Sequence, residues 1–436
     1  MTGEQTAKGA DDSGRPIWSK PLYRHWFLFL LTFTYALNFL DRQLLSILAE
    51  PIKLELGLSD AQLGALGGIY FALFYATLGV PIARISDRTD RINILSGAIT
   101  LWSAATAACG LAQNFVHLVL ARISVAVGEA AATPPSYSMI ADIFARQERA
   151  SAIGVFTTGT AIGVAAGLAL GGWVGAMFGW RTAFLMIGLP GVILAIVIRS
   201  TLRDPPRGFS DGIASDENKA GIWETVKLLA SRTAFRGIAL GTGVASISGY
   251  ALAFWIPSFM VRSYDMSIAE AGWRVALAAG VGGIAGGFFG GFVSDWLSKY
   301  DRRWWAWAPA ICFLLNVPVM ILLFLSSSPI FALLLLATAQ FLYHFWGGSG
   351  HAIVQSLVGK RMRAMAASIF PLCINLIGLG LGPFAVGWLS DAMAMWQGEE
   401  SLRFALMATT PVWILAGILY AVAASKLRED LDSAPD

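Results

Sequence analysis

Apolar runs of roughly 20 residues recur along the chain, separated by short polar breaks, and ~20 residues is the length a helix needs to cross a bilayer. Twelve runs can be drawn, at about 24–48, 61–83, 93–112, 115–138, 149–177, 182–199, 236–261, 271–293, 304–325, 330–357, 364–391 and 402–425. A membrane β-barrel would instead show alternating segments of ~10 residues. The pattern predicts an all-α integral membrane protein with twelve transmembrane helices.

The longest break, about 200–235, begins RDPPRGFSDGIASDENKAG and continues as the amphipathic IWETVKLLASRTAF. Pro, Gly, Ser and charge mark a linker, and the second piece predicts an interfacial helix. The expected organisation is a tail over 1–23, a six-helix bundle over 24–199, a linker over 200–235, a second six-helix bundle over 236–425 and a tail over 426–436. The first tail lacks the basic, apolar and small-residue regions of a signal peptide.

Composition agrees. Hydrophobic residues make up 56% of the 436 and charged residues 14%, against roughly 25% charged in an ordinary soluble domain. Mean hydropathy is +0.62. The net charge of +3 is too small to favour nucleic acid, but its distribution is informative. If both termini are cytoplasmic, inner segments carry 24 Lys and Arg and outer segments five. That asymmetry predicts the orientation. Three cysteines, Cys109, Cys312 and Cys373, lie in apolar runs, which argues against a disulfide framework or a metal site.

The halves are related. A shift of 208 residues places Leu58–Gly64 on Met266–Gly272 and Asp87 on Asp295. A shift of 215 places Gly163, Gly167, Gly172 and Trp173 on Gly378, Gly382, Gly387 and Trp388. Ordered matches at nearly constant offset point to a duplicated six-helix unit, and transporters place substrate near the midplane between such repeats.

Motifs carry a resemblance. After span 2 stand Ala83, Asp87, Arg88, Asp90 and Arg91; after span 8 stand Gly291, Asp295, Asp301, Arg302 and Arg303. Span 4 holds Arg122, Gly128 and Glu129, and span 5 has Gly159, Gly163, Gly167 and Gly171. The set resembles the major facilitator superfamily, whose loop reads GxxxDRxGRR. Here Ala83 and Asp90 replace the two glycines of that loop. Span 5 resembles the antiporter signature, with Leu168 where its proline stands. YALNFLDRQLLS in span 1, with Arg122 and Glu129, resembles the spinster branch, which carries sphingolipids and lysophospholipids. The LDR element also resembles organic-anion symporters. The resemblance implies the major facilitator fold, two pseudo-symmetric six-helix bundles, and a monomer.

Charges inside spans cost at least ~2.5–3.5 kcal/mol each on insertion scales, so they should face a partner or a polar interior. At 1.5 Å per residue, Asp41 lies ~25 Å outward along span 1, Arg122 ~10 Å and Glu129 ~20 Å inward along span 4. The expectation is an outer-half network of Asp41 with Arg42 and Arg122, and Glu129 two turns below. Burial opposes ionisation of a carboxylate and a neighbouring Arg favours it. Arg holds its proton, so Asp41 and Glu129 are the expected proton carriers, with Arg42 and Arg122 as partners.

Asp87, Arg88, Arg91 and Asp142, with Asp295, Arg302 and Arg303 in the second half, are candidate gating residues. The resemblance implies that such charges pair across the halves. In span 10, Gln340, His344, Gly347 and His351 share one stripe. Aromatic residues gather at Tyr250 and Phe254 in span 7 and at Trp346 in span 10. The candidate substrate site joins Asn38, Arg42, Arg122 and Glu129, for a polar head, to Tyr250, Phe254, Gln340, His344, Trp346 and His351, for a tail.

The reading is a secondary transporter, not an enzyme, moving a sphingolipid- or lysophospholipid-like molecule by alternating access with proton coupling. The alternative is proton-coupled transport of a small organic anion held by Arg42 and Arg122. No P-loop or HExxH motif is present. No cofactor, metal or nucleic acid is expected; the partners are substrate, protons and membrane lipids. The expected location is the plasma (inner) membrane.

Overall fold

The computed structural model describes residues 17–86, 88–210, 222–359 and 361–435. Nine stretches among them are long and apolar enough to cross a membrane, and two of these, Arg146–Thr201 and Met365–Asp432, have 56 and 68 residues, room for two crossings each. The 27-residue helix α1 (Pro21–Ile47), which carries Asp41 and Arg42, completes twelve. Large apolar side chains such as Ile193, Phe288 and Phe292 are exposed, as lipid-facing residues should be.

Several spans are broken where the sequence marks a break. After α1 come α2 (Ala49–Leu56) and α3 (Asp60–Gly67), then α4 (Ile69–Ser86). Ser59 opens α3 through a capping box with Gln62. α5 (Arg91–Cys109) is capped by Asp90, and α6 (Phe115–Ala130) by Asn114. Pro134 and Pro135 lie in the first turn of α7 (Thr133–Ile143), where their missing N–H groups do least harm. Spans 5 and 6 run together as α8 (Arg146–Thr201). Gly179, at φ 81°, bends the chain between them in a conformation that side-chain-bearing residues rarely adopt.

The amphipathic piece of the linker is α9 (Ile222–Ser231), with Trp223 exposed and Leu229 buried. Then follow α10 (Thr233–Tyr264), α11 (Ile268–Ser298), α12 (Trp304–Leu325), α13 (Pro329–His344), α14 (Gly347–Ser356) and α15 (Arg363–Ile374). A π-helical turn over Asn375–Leu379 leads into α16 (Gly380–Gln397), then α17 (Ser401–Met407) and α18 (Pro411–Asp432).

The chain forms two compact units, Met1–Leu45 with Phe74–Glu217, and Ser46–Leu73 with Asn218–Asp436. The sequence placed the division only at the linker. The difference is the segment 46–73, which packs with second-half helices. Gly64 of α3 lies against Pro383 of α16, Gly67 against the Phe254 ring, and Ser46 donates to the Phe254 carbonyl at 2.6 Å.

Inside the first unit, α8 meets α1 through its glycines. A Cβ on Gly167 would stand 2.7 Å from Gln43 Cβ, whereas one on Gly287 of α11 would meet nothing within 4 Å. Overpacking costs about 1–3 kcal/mol. Gly167→Leu is therefore expected to lower the melting temperature of the purified protein, and Gly287→Leu to leave it nearly unchanged. Equal melting temperatures would refute this packing.

Candidate functional site

The buried charges of α1 and α6 meet in the first unit, beside α5. Asp41, Arg122 and Glu129 are 2%, 2% and 0% exposed. Arg42 Nε donates to Glu129 Oε2 at 2.6 Å, and the guanidinium stands over the rings of Phe39 and Tyr75 at 4.9 and 5.0 Å. Asp41 turns instead to α5, where Thr106 Oγ1 donates to Asp41 Oδ2 at 3.3 Å. Arg122 acts electrostatically on both carboxylates.

This corrects the expected pairing. Successive helical residues point about 100° apart, so Asp41 and Arg42 face different neighbours. Arg42 takes Glu129, two turns from Arg122, as its partner. Asn38, one turn before Arg42, is buried beside Glu129.

The candidate gate residues divide. Asp87 lies outside the described residues, and Arg88 is exposed. Arg91 and Asp142 do pair, but every contact of Arg91 stays inside the first unit. It is 1% exposed, donating to Asp204 Oδ1 at 2.7 Å, Ser138 Oγ at 2.8 Å and the Pro205 carbonyl at 2.6 Å. Asp142 also accepts from the Gly208 backbone N–H at 2.8 Å. The pair fastens α5 and α7 to the loop after α8. Burial raises the Asp204 carboxyl above its ordinary value, against the pull of the Arg91 charge. In the second unit Asp295 accepts from Trp305 Nε1 at 3.2 Å, and Arg302 is exposed. Arg303 and Arg428 both pair with Asp301. The Arg303 backbone N–H, helped by these guanidinium groups, holds Asp301 below the usual carboxylate range.

The span 10 stripe crosses a break at Phe345–Trp346 between α13 and α14. His344 Nδ1 bonds the Gln340 carbonyl at 2.9 Å and His351 Nδ1 bonds the Gly347 carbonyl at 2.8 Å. A carbonyl only accepts, so each Nδ1 carries a hydrogen and fixes the ring's orientation on its own helix. Trp346 stacks on His351, with ring centroids 5.9 Å apart, and Phe370 meets both edge-on. Tyr250 donates to Asn375 Oδ1 at 2.6 Å in the π turn, and Phe254 is buried against Gly67.

Sequence reasoning missed a cluster in the second unit. Asp60, 2% exposed, accepts both Nη atoms of Arg262 at 2.8 and 2.7 Å, Lys53 Nζ at 2.6 Å and Ser390 Oγ at 2.7 Å. Arg262 Nε reaches Glu50 at 2.9 Å, and Asp391 caps α3 by accepting from the Asp60 and Ala61 N–H groups at 3.0 and 2.8 Å. Lys53 and Arg262 had counted only as outer basic residues. The available signal was Asp60, placed straight after a capping serine inside the repeated LSDAQLG segment.

Breaking a buried ion pair costs about 3–5 kcal/mol, whereas an exposed i,i+4 pair contributes about 0.2–0.5 kcal/mol. Arg262→Met is expected to lower thermal stability in detergent by the larger amount, and Arg274→Met, which loses its pair with Glu270, by the smaller. Comparable losses in the two variants would show that the Asp60 cluster does not hold these helix ends.

The Major Facilitator Superfamily pattern matches residues 31–383. An MFS-type efflux pump of Mycolicibacterium smegmatis is 32% identical over 409 residues, covering 92% of this chain and 93% of the relative. A hexuronate transporter of Bacillus subtilis is 27% identical over 389 residues, 85% of this chain and 88% of the relative. A sphingosine-1-phosphate transporter of Xenopus tropicalis is 25% identical over 430 residues, 93% and 82%. Among solved structures, an inward-facing, unoccupied bacterial homolog of the human lysosomal transporter Spinster aligns with a TM-score of 0.86 at 32% identity, covering 94% of this chain and 99% of that one. The twelve helices, the intramembrane charges and these likenesses have one meaning: the chain belongs to the Major Facilitator Superfamily and is a multi-pass membrane transporter, not an enzyme.

Proposed function

We propose that the protein couples proton movement to transport of an amphipathic, lipid-like substrate of the sphingolipid or lysophospholipid class, by alternating access. The observation that carries this reading is the Arg42–Glu129 pair, with the carboxylate fully buried and the guanidinium 18% exposed, on two spans beside Asp41 and Arg122. An arginine at this depth needs its counter-charge. A proton on Glu129 removes that charge, so Arg42 must find another partner, either a different carboxylate or an anionic headgroup. Proton binding thereby biases which arrangement of α1 and α6 is stable. Asp41, held separately by Thr106, is the second carrier.

Support for an amphipathic substrate comes from two sides. The stacked, half-buried Trp346 and His351 rings, backed by the buried Phe370, combine apolar and hydrogen-bonding groups, and the likenesses include a Spinster homolog and a sphingosine-1-phosphate transporter. A second reading, a small organic anion bound at Arg42 and Arg122, is favoured by the hexuronate transporter of similar coverage. In either reading Arg88, Asp295, Arg302 and Arg303 serve an inner gate. Both termini are cytoplasmic, and the protein works as a monomer in the plasma membrane.

Proteoliposomes carrying an imposed pH gradient test the reading. A coupling free energy of about 1–3 kcal/mol corresponds to roughly 5- to 150-fold, so Glu129→Gln is expected to cut pH-driven accumulation of a fluorescent lysophospholipid by that range. Uptake that is unchanged in both Glu129→Gln and Asp41→Asn would overturn proton coupling through these residues. Inhibition by glucuronate but not by lysophospholipid would instead select the organic-anion reading.

A further inference from the structure

Immediately after Glu129 the helix is interrupted. α6 ends at Ala130, α7 begins at Thr133, and Pro134 and Pro135 have no N–H to return to the Ala130 and Ala131 carbonyls. The interruption borders a cavity of about 10 Å³, lined by Thr34, Tyr35 and Asn38 of α1, by Ala132, Thr133 and Ser136, and by Phe156 of α8. That is about the smallest space that holds one water.

Most of the wall is apolar, and its polar groups come from a few side chains. Asn38 is 2% exposed, and neither its Oδ1 nor its Nδ2 has a hydrogen-bond partner among the described residues. Glu129 is not in the lining, and the Asn38 amide links it to the cavity: the amide acts on Glu129, whose Oε1 has no other partner among the described residues while Oε2 holds Arg42. Thr34 Oγ1 and Ser136 Oγ donate to their own helices, at 2.8 Å to the Leu30 and Ala132 carbonyls, and so keep lone pairs for an incoming donor. A water here has the two to four polar partners that a buried water requires. The other ionisable groups near it are Asp41, Arg42 and Arg122 around Glu129, and the phenols of Tyr35, Tyr75 and Tyr137.

We propose that Asn38, with Thr133 and Ser136, seats a water that relays the proton between Glu129 and the aqueous side, making Asn38 a positioning residue for coupling. This rests on the proton-coupling reading above. In the outgoing step the Glu129 O–H bond breaks as the water's lone pair takes the proton. One of the water's own protons then passes to the next water toward the aqueous side, so the relay ends neutral and Glu129 is left ionised. The incoming step reverses it.

Time-resolved infrared difference spectroscopy after a pH jump, on the full-length protein in nanodiscs, tests this without a substrate. The carboxyl C=O band that disappears in Glu129→Gln reports the proton on Glu129. In Asn38→Leu its rise is expected to slow at least about tenfold, with the end-point amplitude retained. Asn38→Ser, which keeps a hydroxyl and leaves room for water, is expected to stay near the wild-type rate. If Asn38→Leu does not fold, the pair Thr133→Val and Ser136→Ala serves with the same expectation. An unchanged rate in Asn38→Leu, or in the Thr133→Val and Ser136→Ala pair, with the band present in wild type, overturns the relay and leaves proton coupling standing. A wild-type protein with no pH-dependent Glu129 band overturns the coupling reading itself. Loss of amplitude with no change in rate would make Asn38 a purely electrostatic neighbour and would also overturn the relay.

Discussion

A charge inside a membrane protein must be matched where it stands, and the contact between Arg42 and Glu129 is where this chain meets that requirement most severely. One partner is wholly buried, and the other is flanked by the rings of Phe39 and Tyr75. The pair ties α1 to α6, fixes which way Asp41 must turn and leaves one Glu129 oxygen toward Asn38. A carboxylate is the one member that can lose its charge, and in the proposed coupling the contact that stabilises this packing is also the one a proton would release.

The rest of the molecule shows the same logic without the conditional element. Arg91 is as buried as Arg122, yet it is satisfied by two carboxylates, a serine and a carbonyl. Asp60 likewise collects Arg262, Lys53 and Ser390. These saturated clusters anchor helix ends and loops. The Asp41–Arg42–Glu129 region differs in holding unused acceptor capacity beside an interrupted helix.

Much of this was legible in the sequence because the bilayer imposes simple rules. Apolar run length gave the spans, and the rarity of charge inside them singled out Asp41, Arg42, Arg122 and Glu129. Pairing was not legible. Whether Arg42 meets Asp41 or Glu129 depends on a rotation of about 100° per residue and on the approach of α6, which one-dimensional depth cannot resolve. The unit boundary was missed for a related reason: segment 46–73 is apolar enough to read as ordinary first-half helix. Its affiliation is decided by Asp60, Gly64 and Gly67 meeting Arg262, Pro383 and Phe254, contacts more than 180 residues away in sequence. Spacing put the histidines of span 10 on one stripe, but neither the break at Phe345–Trp346 nor their Nδ1 bonds to their own helices could be read from it.

The account stands on the claim that neutralising Glu129 releases the Arg42 contact and changes the packing of α1 against α6. Hydrogen–deuterium exchange across these helices, at neutral and acidic pH, measures this directly. Glu129→Gln at neutral pH should show the same loss of protection in α1 and α6 that acid produces in the wild type, and acid should add little more to the variant. Identical protection in wild type and variant at both pH values would contradict it.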